Sequence, residues 1–188
     1  MAPEGPPLTG PKLLLRPPTP EDLPTLYAWY LDPELVSPFD RYSMDSFDDL
    51  ARSVREAPDD PASLAPRFVL EPHGGGPIVG CVGHYSAHPV LTLVDVWYLV
   101  GAPRARGAGF GSEAVGLLVD HLFRTTAVER VGATTDVANA ASYKLLERLG
   151  FRREGTYRSA LFHHAAWHDV AVYGITRTEW MTRATPPR

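Results

Sequence analysis

The run Pro103-Arg104-Ala105-Arg106-Gly107-Ala108-Gly109-Phe110-Gly111-Ser112-Glu113-Ala114 joins an apolar strand pattern ending at Val100 to a long amphipathic helix pattern. In that helix Val115, Leu118, Val119 and Leu122 form one stripe. Glycines let the main chain turn tightly and bring its N–H groups close to a ligand. A helix start adds unpaired donors and partial positive charge, a combination suited to phosphate or pyrophosphate. Arg106 adds a full charge at the mouth. The two familiar phosphate loops fit poorly: no lysine completes a Walker loop, and the glycine spacing departs from the Rossmann fingerprint. Taken alone, the loop also reads as an ordinary tight turn.

Upstream, Leu13–Arg16 reads as a first strand, and Thr19-Pro20-Glu21-Asp22 as a helix start. Leu23, Leu26, Tyr27 and Tyr30 make one apolar face, and Asp32-Pro33 ends that helix. Ser46 opens a second helix with Phe47, Leu50 and Val54 on one side. Strands are expected at Arg67–Leu70, Ile78–Ser86 and Leu91–Val100. Downstream come a strand at Arg130–Val137, a helix at Asn139–Leu149 capped by Asn139, a left-handed cap at Gly150, and a final strand at Val170–Arg177. The alternation is that of an α/β fold.

The chain has 188 residues, 44% hydrophobic and 21% charged, in keeping with one globular domain. Of its 19 prolines none lies between Arg104 and Thr185, so only the second half can carry long uninterrupted elements. A formal net charge of −4 argues against a nucleic-acid partner. No apolar run is long enough to span a membrane and no secretory leader is evident, which points to the cytoplasm. Cys81 is the sole cysteine and reads as a small buried hydrophobe. Residues 21–60 carry eleven acids against Arg41, Arg52 and Arg55, whereas 104–153 carry a net +3. These are either solvated faces or surfaces for a cation and an anion respectively.

Arg106, Gly109 and Gly111 follow the Arg/Gln-x-x-Gly-x-Gly/Ala pattern that resembles motif A of the GNAT N-acetyltransferases, with Pro103 and Ser112–Ala114 favouring this register over the one starting at Arg104. Asn139-Ala140-Ala141-Ser142 and Leu149-Gly150-Phe151-Arg152-x-Glu154-Gly155 resemble motif B. The ending Trp167-His168-Asp169 through Tyr173 to Glu179-Trp180, and the opening Leu13-x-Leu15-Arg16-Pro17, are similar to the RimJ/RimL-like branch. The resemblance covers 12–181, with 1–11 expected as a disordered tail and 182–188 as a second tail. It implies a central mixed, mostly antiparallel twisted sheet, splayed at an acetyl-CoA site and flanked by helices. It further implies that Arg106, Gly107, Ala108, Gly109, Phe110, Gly111 and Ser112 grip the CoA pyrophosphate. Leu99, Val100 and Gly101 would pair with the pantetheine arm, and Asn139 would contact that arm or a bound water.

An attacking amine must lose a proton. Asp95, fourteen residues before Gly109, interrupts the apolar run 91–98 where several members carry a catalytic glutamate, so it is expected as base, substrate-orienting acid or structural acid. Many members donate a proton to the leaving thiolate from a tyrosine seven residues after the motif B asparagine, but Leu146 stands there. Ser142, where the RimL-like branch has serine, is the candidate donor, and the same hydroxyl position suits a helix first turn. His84 is a weaker candidate as proton shuttle. Trp29, Tyr30, Trp97 and Tyr98 read as core or as acceptor lining. No metal is expected, since among the histidines only His164-x3-His168 has ligand spacing and no motif surrounds it. The implied activity is acetyl transfer to a primary amine, either a protein N-terminus or a small molecule such as an antibiotic or metabolite. The acidic 21–60 segment favours a cationic acceptor. The alternatives are a non-catalytic acyl-CoA-binding regulatory module or use of a longer acyl donor such as succinyl-CoA, in a monomer or homodimer.

Overall fold

The computed structural model describes residues 7–32, 35, 46–56, 65–88 and 93–184. Its elements are β1 (Leu8–Thr9), β2 (Leu13–Arg16), α1 (Leu23–Leu31), α2 (Phe47–Glu56), β3 (Phe68–Pro72), β4 (Gly80–Ser86) and β5 (Leu93–Leu99). After the glycine loop come α3 (Phe110–Thr125), β6 (Arg130–Asp136), α4 (Ala140–Arg148), β7 (Arg152–His163), β8 (Ala166–Thr176) and α5 (Arg177–Ala184). The strands form one sheet in the order β1-β2-β3-β4-β5-β6-β8-β7. Among the described residues only β5 and β6 run parallel, so the sheet is mixed and mostly antiparallel, as the resemblance implied.

Two apolar layers sandwich the sheet. On one face α3 buries Ala114, Val115, Leu118, Val119, Leu122 and Phe123, and α4 buries Leu145 and Leu146, against Val96, Val131, Ala133, Ala171, Tyr173 and Ile175. On the other face α1 and α2 lay Leu26, Tyr30 and Leu50 over Val69, Cys81 and Trp97. Because strand side chains alternate, the even residues of β6 and β8 point away from α3 and α4. Ser46 caps α2 as expected, its hydroxyl accepting from the Asp49 N–H at 3.1 Å. Asn139 caps α4, accepting from the Ser142 N–H at 3.1 Å. Gly150 takes φ +86° as the anticipated left-handed cap. The acids Glu34, Asp40, Asp45, Asp59 and Asp60, with Arg41, Pro33 and the start of the run 91–98, lie outside the described residues.

Three elements differ from expectation. Leu8–Thr9, inside the stretch expected as tail, pairs with Leu14 and Leu15 as an edge strand. β7 gave no periodic signal because every residue from Arg152 to Ala160 is exposed, so no buried face imposes alternation. The last strand ends at Thr176 rather than Arg177. There the Thr176 hydroxyl and N–H both donate to the Glu179 carboxylate, at 2.8 and 2.9 Å, and start α5. That Thr-x-x-Glu capping box was visible in the sequence.

The β7–β8 hairpin closes through His164 and Ala165, at φ +47° and +58°, a left-handed pair that glycine tolerates far better than alanine. Ala165→Gly is therefore expected to stabilise the protein by about 1 kcal/mol. A raised denaturant midpoint at unchanged slope would confirm it, and no gain would show that the turn is unstrained.

Candidate active site

Strands β5 and β6 are parallel, so their carboxyl ends lie at the same edge of the sheet, and each feeds a helix that begins there. Pairing between them runs only from Leu93↔Arg130 to Asp95↔Gly132. Beyond that point 96–99 and 133–136 are not joined, and the sheet opens into a wedge between two helix N-termini. Open sheets bind ligands at such a place, outside the carboxyl ends of adjacent strands.

The glycine loop forms one lip of the wedge. Gly107 and Gly109 take φ +74° and +90°, which β-carbons disfavour, and Gly109 is the residue before α3. The N–H groups of Phe110, Gly111 and Ser112 begin the helix and have no turn before them to accept their hydrogen bonds. Cations surround these donors. Arg106 Nε lies 3.3 Å from the Val100 carbonyl, and Arg148 Nη2 donates to Ser112 Oγ at 2.5 Å. Lys12, which the sequence reading did not single out, donates from Nζ to the Ala108 carbonyl at 2.7 Å. The Glu113 carboxylate accepts from the Lys12 and Leu13 N–H groups at 2.7 and 3.1 Å, which ties β2 to the loop. Three bases and a row of main-chain donors fit a pyrophosphate.

Leu99, Val100 and Gly101 run along the wedge edge of β5 toward the loop. A Cβ on Gly101 would collide with the Trp29 indole, so α1 packs directly on this main chain and sets its path. Opposite, Tyr98 reaches across from β5 and its hydroxyl donates to Ser142 Oγ at 3.0 Å. Ser142 thereby keeps its own O–H for a third partner. Asn139 Oδ1 is occupied as the α4 cap, which leaves its amide N–H groups for a ligand. Leu146 is fully buried, so no proton donor reaches the wedge from that position.

Asp95 stands where the wedge begins, on the opposite face of β5 from Tyr98. A Cβ on Gly132 would collide with its carboxylate. Partial burial raises its pKa above the ordinary aspartate value, opposed by the Arg130 charge and reinforced by Glu154. Arg130 is itself paired with Glu154. The fold thus separates the two expected catalytic residues: Asp95 faces the α1–α2 side and Ser142 the α3–α4 side, with the wedge between them.

Other candidates fall elsewhere. His84, paired with Val96, lies on the α3 face, where burial, with the nearby Arg67 and His121 adding, pushes it down to about 4. Burial pushes the Cys81 thiol up to about 12, which removes it as a nucleophile. Tyr30 and Trp97 belong to the core under α1 and α2. Among the described residues, no helix is long and apolar enough to cross a membrane.

A family model described as an acetyltransferase (GNAT) domain matches residues 12–152. The SPbeta prophage-derived uncharacterized N-acetyltransferase YokL of Bacillus subtilis (strain 168) is 28% identical over 174 residues, 92% of this chain and 94% of that protein. The structure of spermidine N-acetyltransferase from Vibrio cholerae in complex with CoA and spermine superposes with a TM-score of 0.78 at 21% identity, covering 92% of this chain and 99% of that one. The ribosomal-protein-S5-alanine acetyltransferase of Vibrio fischeri gives 0.77 at 20% identity, covering 94% and 99%.

Proposed function

The chain belongs to the GNAT acetyltransferase family and is an acyltransferase, and on that premise we propose that it moves an acetyl group from acetyl-CoA to a primary amine by direct attack within the wedge. The observation that carries this reading is the meeting of two helix N-termini at the splayed ends of β5 and β6, with Tyr98 and Ser142 bonded across the opening.

Acetyl-CoA supplies the activated acyl group, and the protein's residues do the rest. Lys12, Arg106, Arg148 and the N–H groups of 110–112 hold the pyrophosphate, while the main chain of Leu99–Gly101 and the Asn139 amide hold the arm. Asp95 accepts the amine proton, directly or through a water. A carboxylate with a raised pKa is a better match for that task near neutral pH than an ordinary one. Ser142 donates to the departing sulfur and is replenished by the Tyr98 hydroxyl behind it.

We further propose a cationic acceptor. Asp48, Asp49 and Glu56 belong to α2, which packs through Leu50 on the same face of the sheet as Asp95, and the two structural neighbours are named for a polyamine and for a protein alanine, both amine substrates. The single buried thiol of Cys81 fits a cytoplasmic location.

Thiol release from acetyl-CoA, measured across polyamines, N-terminal peptides and aminoglycosides, tests the reading. Turnover with a cationic amine is expected. CoA binding without release for any amine would instead make the chain a binding module, and faster release from succinyl-CoA would replace the donor. Ser142→Ala is expected to lower kcat about 10- to 100-fold at unchanged CoA affinity, and Tyr98→Phe by less. Equal rates in Ser142→Ala and the parent protein would remove Ser142 from the chemistry.

A further inference from the structure

Three side chains that the transfer reaction does not use meet beside the tip of the β7–β8 hairpin. Asp136 ends β6 with its side chain fully buried, on the face away from α3 and α4. His163 Nε2 lies 2.6 Å from Asp136 Oδ2, and His168 Nδ1 lies 3.5 Å from the same oxygen. One donor atom from each of the three lies within 4.8 Å of the others. The sequence pointed to the pair His164 and His168 and to no metal. The hairpin register instead sets His163 opposite Ala166 and Leu161 opposite His168, which puts His163 and His168 side by side with centroids 3.7 Å apart. Asp136 arrives from 27 residues upstream.

Two features ask for more than a shared proton. Both imidazoles turn a nitrogen toward one carboxylate oxygen, although only the His163 contact is within hydrogen-bonding distance. His168 Nε2, the ring nitrogen turned away from Asp136, is buried with no hydrogen-bond partner, at a cost of about 1–3 kcal/mol that is relieved if the ring turns to present it to an ion. The surroundings also suit ligation. His163 Nδ1 lies 2.9 Å from His164 Nδ1, and Asp136 Oδ1 accepts the Ala138 N–H at 2.5 Å, so each of these two ligands is oriented by a second contact.

We infer that Asp136, His163 and His168 bind one divalent d-block cation of the zinc type. Two imidazoles and a carboxylate are the donors such ions take, whereas calcium and magnesium prefer oxygen alone. On binding, the ion replaces the proton between His163 Nε2 and Asp136. With Nε2 given to the ion, the ring N–H of His163 sits at Nδ1 and points to His164 Nδ1. The two rings, 17° from parallel, must splay for their lone pairs to converge. His168, with 27% of its side chain exposed against 6% for His163, is the one that turns. The Asp136 carbonyl accepts from the Asn139 N–H at 3.0 Å, so the ion ties the hairpin tip to the turn that launches α4 with Asn139 and Ser142.

The test uses the full chain, free of any histidine tag and stripped by chelator. Zn²⁺ is titrated by calorimetry, and Co²⁺ by visible absorption. Expected are one ion per chain, a raised Tm, and Co²⁺ bands of a nitrogen- and oxygen-ligated site. His168→Ala leaves the His163–Asp136 pair in place and should weaken binding at least about tenfold, on the scale of lost metal-site contacts. His163→Gln should do the same. Absence of stoichiometric Zn²⁺ binding, or binding unchanged in both variants, would overturn the site. None of these readouts depends on acetyl transfer.

Discussion

Asp95→Asn is expected to lower kcat/KM about 10²- to 10³-fold while leaving CoA affinity unchanged, the loss typical of a missing general base. The acid limb of the parent enzyme's pH profile should sit above the ordinary aspartate value, because burial raises this pKa despite Arg130, and Glu154 adds to the rise. That limb should vanish in the variant. Stability should move the other way. A carboxyl whose pKa is higher in the folded than in the unfolded chain favours folding in its protonated form, and that advantage is lost as pH rises through the folded pKa. At neutral pH the charged Asp95 therefore destabilises the fold, and asparagine should raise Tm there. The gain should disappear at pH values below the unfolded aspartate pKa of about 3.9. Retained activity with a raised Tm would identify Asp95 as a strained structural acid. Gly132→Ala offers an independent check, since its Cβ would displace the same carboxylate.

Gly109→Val should weaken CoA binding about 100-fold. Gly109 sits at φ +90° directly before α3, and a side chain there would occupy the space in front of the helix donors. The nearest protein atom to a new Cβ is Lys12 Nζ at 2.9 Å, the mobile end of a long side chain, so the fold can absorb the change. Losing one charge-assisted N–H contact accounts for roughly 1.5–3 kcal/mol, which is one to two decades in affinity. Gly107→Ala separates strain from obstruction. Its φ is also positive, at +74°, yet a Cβ there meets nothing within 4 Å. It should cost stability but little CoA affinity, and equal losses in both variants would assign the effect to backbone strain.

Local chemistry made much of this legible in the sequence. The Ser46 and Asn139 caps and the Gly150 left-handed stop are decided within a few residues, as is the stripe of α3, so they could be read before any tertiary contact was known. The glycine run and the Asn139–Ser142 turn were legible for the same reason. The edge strand β7 was not, because a strand exposed from Arg152 to Ala160 has no core to imprint a period of two. Lys12 escaped notice because its value comes from β2 lying against a loop 96 residues away.

By itself, then, the sequence determined the α/β class and the donor-rich start of α3, since each depends on residue type at short spacing, while Asp95 and Ser142 became candidates through the resemblance of the motifs around them. The tertiary structure alone decided which side of the sheet each candidate faces. Strand parity sends Asp95 and Tyr98 to opposite faces, and only the end of β5–β6 pairing at Asp95↔Gly132 opens a wedge between them. It also moved the histidine pairing from His164–His168 to His163–His168 and brought in Asp136. Hairpin register, unlike helical spacing, is set by a turn and by partners distant in the chain.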